Sequence, residues 1–120
     1  MMLGLLKVFV FLTAVDMRKS IDALTLLVQG SGFSWADASA QSLGFVFFSK
    51  DRTKLKLLVW DSNGFWLCYK RLERGQFIIP EQSNLSWQEL MLMLQGVELS
   101  RRRLPNFACP NIHYRDIEWA

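Results

Sequence analysis

One histidine, two cysteines and three prolines are spread over 120 residues, and each shortage closes a class of function. The histidine, His113, has no companion motif around it, so a Ser-His or Cys-His hydrolase lacks its parts. Cys68 and Cys109 are too few for a disulfide framework and lack the spacing of a metal site. They fit a reducing, cytoplasmic setting. No GxxxxGK[ST] or GxGxxG run is present, so nucleotide-dependent chemistry has no visible seat and no cofactor is expected. No apolar run approaches the ~18 residues of a membrane-spanning helix. The opening MMLGLLKVFVFLTA has no cationic segment ahead of its apolar run, and Lys7 interrupts that run, so a buried first strand is expected over residues 5–13 in place of a targeting segment.

What the chain does have is apolar material: 51% of its residues are hydrophobic, enough for one packed core in a single domain. The stretch from Lys54 to Pro80 organises that material. Leu55–Trp60 and Phe65–Leu72 are apolar and aromatic runs separated by Asp61-Ser62-Asn63-Gly64, which predicts two strands and a tight turn. A two-residue loop at Ser62-Asn63 or at Asn63-Gly64 preserves the same alternation, and in both cases Lys54, Lys56, Tyr69 and Arg71 share one face of the hairpin. Gly75 separates this hairpin from a short strand expected at Gln76–Ile79, ended by Pro80. With a strand at Leu43–Ser49, four consecutive strands joined by short links predict an antiparallel meander.

Two helices are expected to pack the sheet. In the first, Asp16 is placed as N-cap, Met17, Ile21, Leu24 and Leu27 or Val28 recur at helical spacing, and Gly30-Ser31-Gly32 supplies the stop. In this placement Arg18 and Lys19 lie in the first turn, beside free backbone N–H groups, as a candidate site for a phosphate or for a carboxylate of the protein itself. The second helix carries the capping box Ser86-Trp87-Gln88-Glu89 with Leu85 and Leu90 as a hydrophobic staple, and runs to about Gln95 before Gly96. Trp87, Leu90, Met91 and Leu94 form its buried stripe; Leu92 and Met93 widen the apolar surface, through deeper burial or a partner. Residues 31–42 are expected to be a loop around Phe33 and Trp35. Beyond residue 99, Arg101-Arg102-Arg103 and two prolines begin a basic tail over 100–120, expected to be extended. The fold class is thus α+β: one domain over 1–99, mainly an antiparallel β-meander packed by two helices, with an extended C-terminal tail.

The charge is local. Residues 50–75 contain seven cations (Lys50, Arg52, Lys54, Lys56, Lys70, Arg71, Arg74) against Asp51, Asp61 and Glu73, a balance of +4 in a chain whose total is +3. Such cations neutralise phosphates, and Trp60, Trp66 and Tyr69 are able to stack on bases, although packing and protection of a sheet edge are the plain alternatives. A metal-dependent nuclease would need carboxylates such as Asp16, Asp61 and Glu73 gathered around a hard cation. Yet Asp16 suits a helix cap and Asp61 a turn, and the acid-x-Lys ending of compact nucleases is missing at Glu73-Arg74-Gly75.

Asp16-Met17-Arg18, Lys56-Leu57-Leu58-Val59-Trp60-Asp61, Gly64-Phe65, Tyr69-Lys70-Arg71-Leu72-Glu73-Arg74-Gly75, Phe77 with Pro80, and Met93-Leu94-Gln95-Gly96 together resemble the TnpB (Orf2-like) accessory proteins of IS66-type bacterial insertion sequences. The resemblance spans roughly residues 6–99 and departs from the usual pattern at 31–42 and after Leu99. It implies a role in DNA transposition, beside a separate transposase of the same element, and supplies no catalytic residue; with no catalytic or metal-binding constellation in the residues themselves, a non-enzymatic role is expected. Arg18, Lys56, Lys70, Arg71 and Arg74 match its motif positions. With Lys54, their charge makes them the candidate contacts to DNA at the element ends. The alternative is a protein-interaction module that docks on the transposase through the second helix and the tail, without direct DNA contact.

Overall fold

Side chains alternate across an extended strand, so a sheet whose strands are apolar at every position must be covered on both faces. The computed structural model describes residues 7–35 and 42–96. Strands β1 (Lys7–Phe11), β2 (Leu43–Phe48), β3 (Lys54–Asp61), β4 (Gly64–Arg71) and β5 (Asn84–Leu85) make one sheet in the order β4-β3-β2-β1-β5, with helices α1 (Ile21–Gly30) and α2 (Trp87–Leu94). The class is α+β, as the sequence predicts, and three of the four strand pairings are antiparallel. The fourth is not: β1 and β2 run parallel, because α1 carries the chain back to the starting end of β1 before β2 begins. The sheet is therefore mixed, with the meander confined to β2, β3 and β4.

All six residues of β2 are buried. Val46 and Phe48 join Val8, Val10, Leu55, Leu57 and Val59 on one face, where Phe77, Leu85, Leu90 and Met93 cover them. Leu43, Phe45 and Phe47 join Leu58 on the other face, beneath Leu24 and Val28 of α1. Each strand residue is thus committed by its parity to α1 or to the layer containing α2.

The strand expected at Gln76–Ile79 does not form. Residues 72–83 leave the β4 edge and reach β5 at the opposite edge, with Phe77 buried in the α2-side core. The Phe77 N–H donates to Arg52 O (2.7 Å) and the Leu72 N–H to Thr53 O (2.7 Å), so this segment is sewn to the β2–β3 turn instead of adding a ladder. At the hairpin tip Asp61 pairs with Gly64, which selects the Ser62-Asn63 loop. The left-handed backbone falls on Ser62 (φ 56°) and not on Asn63 or Gly64.

Helix α1 begins one turn later than its apolar spacing suggests. Asp16 is not its cap: an Asp16 carboxylate oxygen accepts the Arg18 backbone N–H (2.9 Å), and Asp16 O accepts the Lys19 N–H (3.1 Å), closing a separate turn before Ser20. Arg18 and Lys19 therefore precede the helix, and the Arg18 side chain is paired with the protein's own Asp16. Helix α2 follows its sequence signature closely. Ser86 Oγ accepts the Glu89 N–H (3.1 Å), Glu89 returns to the Ser86 N–H (2.8 Å), and Leu85 and Leu90 are buried together. Met93 is core, so the second helix's apolar surplus is absorbed at that position by burial. The tail over 100–120 and its boundary at residue 99 lie outside the described residues.

Removing the Ser86 cap as Ser86→Ala should cost about 1 kcal/mol of unfolding free energy. Met93→Ala should cost about 2–5 kcal/mol, the range for emptying a buried methionine position. Urea unfolding followed by circular dichroism measures both, and the larger loss is expected at Met93.

Candidate nucleic-acid interface

The hairpin register sets where the cations go. Lys54 lies opposite Arg71 and Lys56 opposite Tyr69, all four on the α1 side, as alternation predicts. Position along the strand then separates them. Lys56 is half-buried; its amine donates to Lys19 O (2.8 Å) and lies 5.6 Å from the Tyr69 ring centroid, so it ties the turn before α1 to the sheet. Lys54 and Arg71 lie at the open end of the strands. Arg71 pairs with Glu73 at 2.9 Å, and Lys54 reaches Asp51 at 3.9 Å.

Lys70 lies elsewhere. Its parity sends it to the α2 side, where it is 7% exposed and donates to Leu94 O (2.8 Å) at the end of α2. A cation at a helix C-terminus satisfies a carbonyl that the helix leaves unpaired and complements the dipole. Lys56 and Lys70 thus hold the two coverings of the sheet from opposite faces.

The β2–β3 turn completes the cationic end. Phe77 and Leu72 bind its carbonyls, and Gln76 Nε2 donates to Asp51 O (2.9 Å), so residues 71–77 and 49–54 form one surface. Lys50, Arg52, Lys54, Arg71 and Arg74 lie on these segments with Asp51 and Glu73: five minus two leaves +3. Arg52, at the turn, has a left-handed backbone (φ 60°) and an exposed side chain. Asp16 lines a depression of about 600 Å³ together with Lys50 and Lys54, which brings the exposed Arg18, bound to Asp16 at 2.8 Å, next to the same end. Lys50 and Arg52 are part of the charge run in the sequence, but only the stitching of 72–77 onto the turn joins them to Arg71 and Arg74.

The acids at this end are internally engaged. Asp51 accepts from the Thr53 hydroxyl (2.8 Å), the Ser49 hydroxyl (2.8 Å) and the Thr53 N–H (3.1 Å), and these bonds, with Lys54 nearby, hold its pKa down to about 2. Asp16 is held at about 2, chiefly by the Arg18 side chain. The three carboxylates weighed for a nuclease are not brought together. Asp16 and Glu73 lie toward the Lys54 end, whereas Asp61 accepts from Trp66 Nε1 (3.0 Å) at the hairpin tip, about 24 Å away along β3. Among the described residues no group of three or more His, Cys, Asp or Glu side chains is placed to hold a metal ion, and no helix is long and apolar enough to cross a membrane.

The family model described as IS66 Orf2 like protein matches residues 6–104. A relative from Sinorhizobium fredii, named uncharacterized protein y4jC, is 33% identical over 100 residues, covering 80% of this chain and 83% of its own length. No solved structure matches.

A carboxylate whose folded pKa lies below its unfolded value stabilises the fold above the unfolded pKa, near 3.8, and loses that contribution as pH falls through about 2. The melting temperature is therefore expected to fall as pH drops from about 4 to about 2, and to fall less in Asp51→Asn. Thermal melts across that window decide the point, and equal acid sensitivity in the two proteins would assign it to other groups.

Proposed function

The chain belongs to the IS66 Orf2-like family, and on that footing we propose that it is a non-enzymatic accessory protein of insertion-sequence transposition that binds element DNA through the cationic end of its sheet. The observation that carries this reading is the convergence of Lys50, Arg52, Lys54, Arg71 and Arg74 from two segments onto one surface, with Arg18 beside it. Clustered cations at a rim neutralise successive phosphates and release counterions, a sequence-independent source of affinity. One feature supports the assignment of charge to binding: Arg52 holds a backbone conformation that favours glycine. The pairs Arg71–Glu73, Lys54–Asp51 and Arg18–Asp16 compete with this binding, and DNA phosphates would have to replace the carboxylates on those cations. Lys56 and Lys70 support the surface indirectly, by fixing α1 and α2 to the sheet.

Docking on the element's transposase through α2 has less to rest on, because Met93 belongs to the core. The accessory role still implies work beside that transposase.

Binding to element-end DNA should weaken linearly in log affinity against log salt, and replacing Lys54 and Arg71 together by Ala should lower the slope by about two, one for each phosphate that is no longer neutralised. Arg52→Gly should weaken binding while raising stability by about 1 kcal/mol, since glycine adopts the left-handed backbone without penalty. Lys70→Ala should behave oppositely, reducing stability by about 1.5–3 kcal/mol with the slope unchanged. Fluorescence-anisotropy titrations beside urea melts separate these outcomes, and a slope insensitive to Lys54 and Arg71 would remove this surface as the DNA contact.

A further inference from the structure

Among the described residues the outer edge of β4 is the longest unpaired edge of the sheet. β4 is the terminal strand, eight residues long, whereas the opposite edge ends in the two-residue β5. Its backbone orientation follows from one bond. The Leu72 N–H points at Thr53 O, so by alternation the N–H and C=O groups of Lys70, Cys68, Trp66 and Gly64 face β3, and those of Tyr69, Leu67 and Phe65 face away. Among the described residues no strand meets them. The usual protections of an edge are missing here: residues 64–69 contain no charge, no proline and no bulge in their pairing with β3. Trp66 leaves 52% of its surface in solvent on this strand.

We propose that this chain forms a symmetric dimer in which β4 pairs antiparallel with β4 of a second copy, Leu67 facing Leu67. The sequence of the strand is complementary to itself in that register. Phe65 of one copy meets Tyr69 of the other, Trp66 meets Cys68, and the charged Lys70 and Arg71 meet the uncharged Gly64 and Asn63, so no like charges are opposed. The outward-facing residues pair with one another, which satisfies Phe65, Leu67 and Tyr69 of both copies and covers Trp66. An isologous contact of this kind closes on itself and leaves no new edge to propagate. Odd residues pair with odd residues, so the α1-side faces of both copies lie on the same side of a continuous ten-stranded sheet. The two Arg71 positions are then eight residue steps apart, about 27 Å, with each cationic end extending outward from there. Combined with the DNA reading, on which this one consequence rests, the dimer offers two patches at a spacing near one duplex turn of about 34 Å.

The test is the molar mass of the full chain without DNA, measured by light scattering over a concentration series. The expected mass is twice 14.0 kDa. Trp66→Lys, which changes a side chain already exposed and places like charges at the joint, should raise the dimer dissociation constant at least about tenfold, with a melt that remains cooperative. Tyr69→Pro removes an outward N–H without costing a β3–β4 bond and should do the same. A wild-type mass of 14.0 kDa at every concentration would overturn the proposal, as would a dimer that neither substitution weakens. Loss of DNA binding in a dimer of intact mass would count against the cationic surface alone.

Discussion

A sheet that is apolar on both faces has to be covered twice, and everything else in this protein follows from how that is done. β2 is buried from Leu43 to Phe48, so α1 on one side and residues 77–93 on the other are obligatory. Within the sheet, the layered core leaves mainly the strand ends and the outer edges to meet solvent. A cation in the middle of the hairpin cannot be left unpaired in such an interior. Lys56 and Lys70 resolve the conflict in the same way, by carrying their amines to backbone carbonyls at the start of α1 and the end of α2. Similar residue types a few positions away, at Lys54 and Arg71, keep their heads at the rim because the strands end there.

The surfaces of this protein are therefore divided along the length of one hairpin. At the end formed by the β2–β3 turn, charge collects from two segments that three hydrogen bonds fasten together. At the tip, Trp66 donates to the Asp61 carboxylate through a single bond and the cations are gone. Between them runs an edge strand without charge until Lys70. Binding of a polyanion at one end and pairing of chains along the edge use different atoms, so neither excludes the other.

Several elements were legible because their signals are local. The Ser86–Glu89 box with its Leu85–Leu90 staple, the glycine stops at Gly30–Gly32 and Gly96, and the hairpin with its two-residue loop all rest on interactions within about five residues. The misplacements have one common cause, a distant partner. Gln76–Ile79 has strand composition, yet the Phe77 N–H finds Arg52 O and its ring finds the core, so the segment crosses the sheet instead of lengthening it. Asp16 has the chemistry of a cap, but Arg18 is two residues away and Val15 is fixed to Phe48 O, which ends the turn before the helix can start.

By itself the sequence determined the class of fold, the family, the common face of Lys54, Lys56, Tyr69 and Arg71, and the presence of a concentrated positive charge, because composition and a period of two are properties of the chain. Only the tertiary structure decided which of those charges meet solvent. Alternation fixes the side of a sheet but not what lies over it. The burial of Lys70 against Leu94, the tether of Lys56 to Lys19 and the union of Arg52 with Arg74 all depend on residues about 20 to 40 positions apart in the chain, whose proximity is created by packing alone.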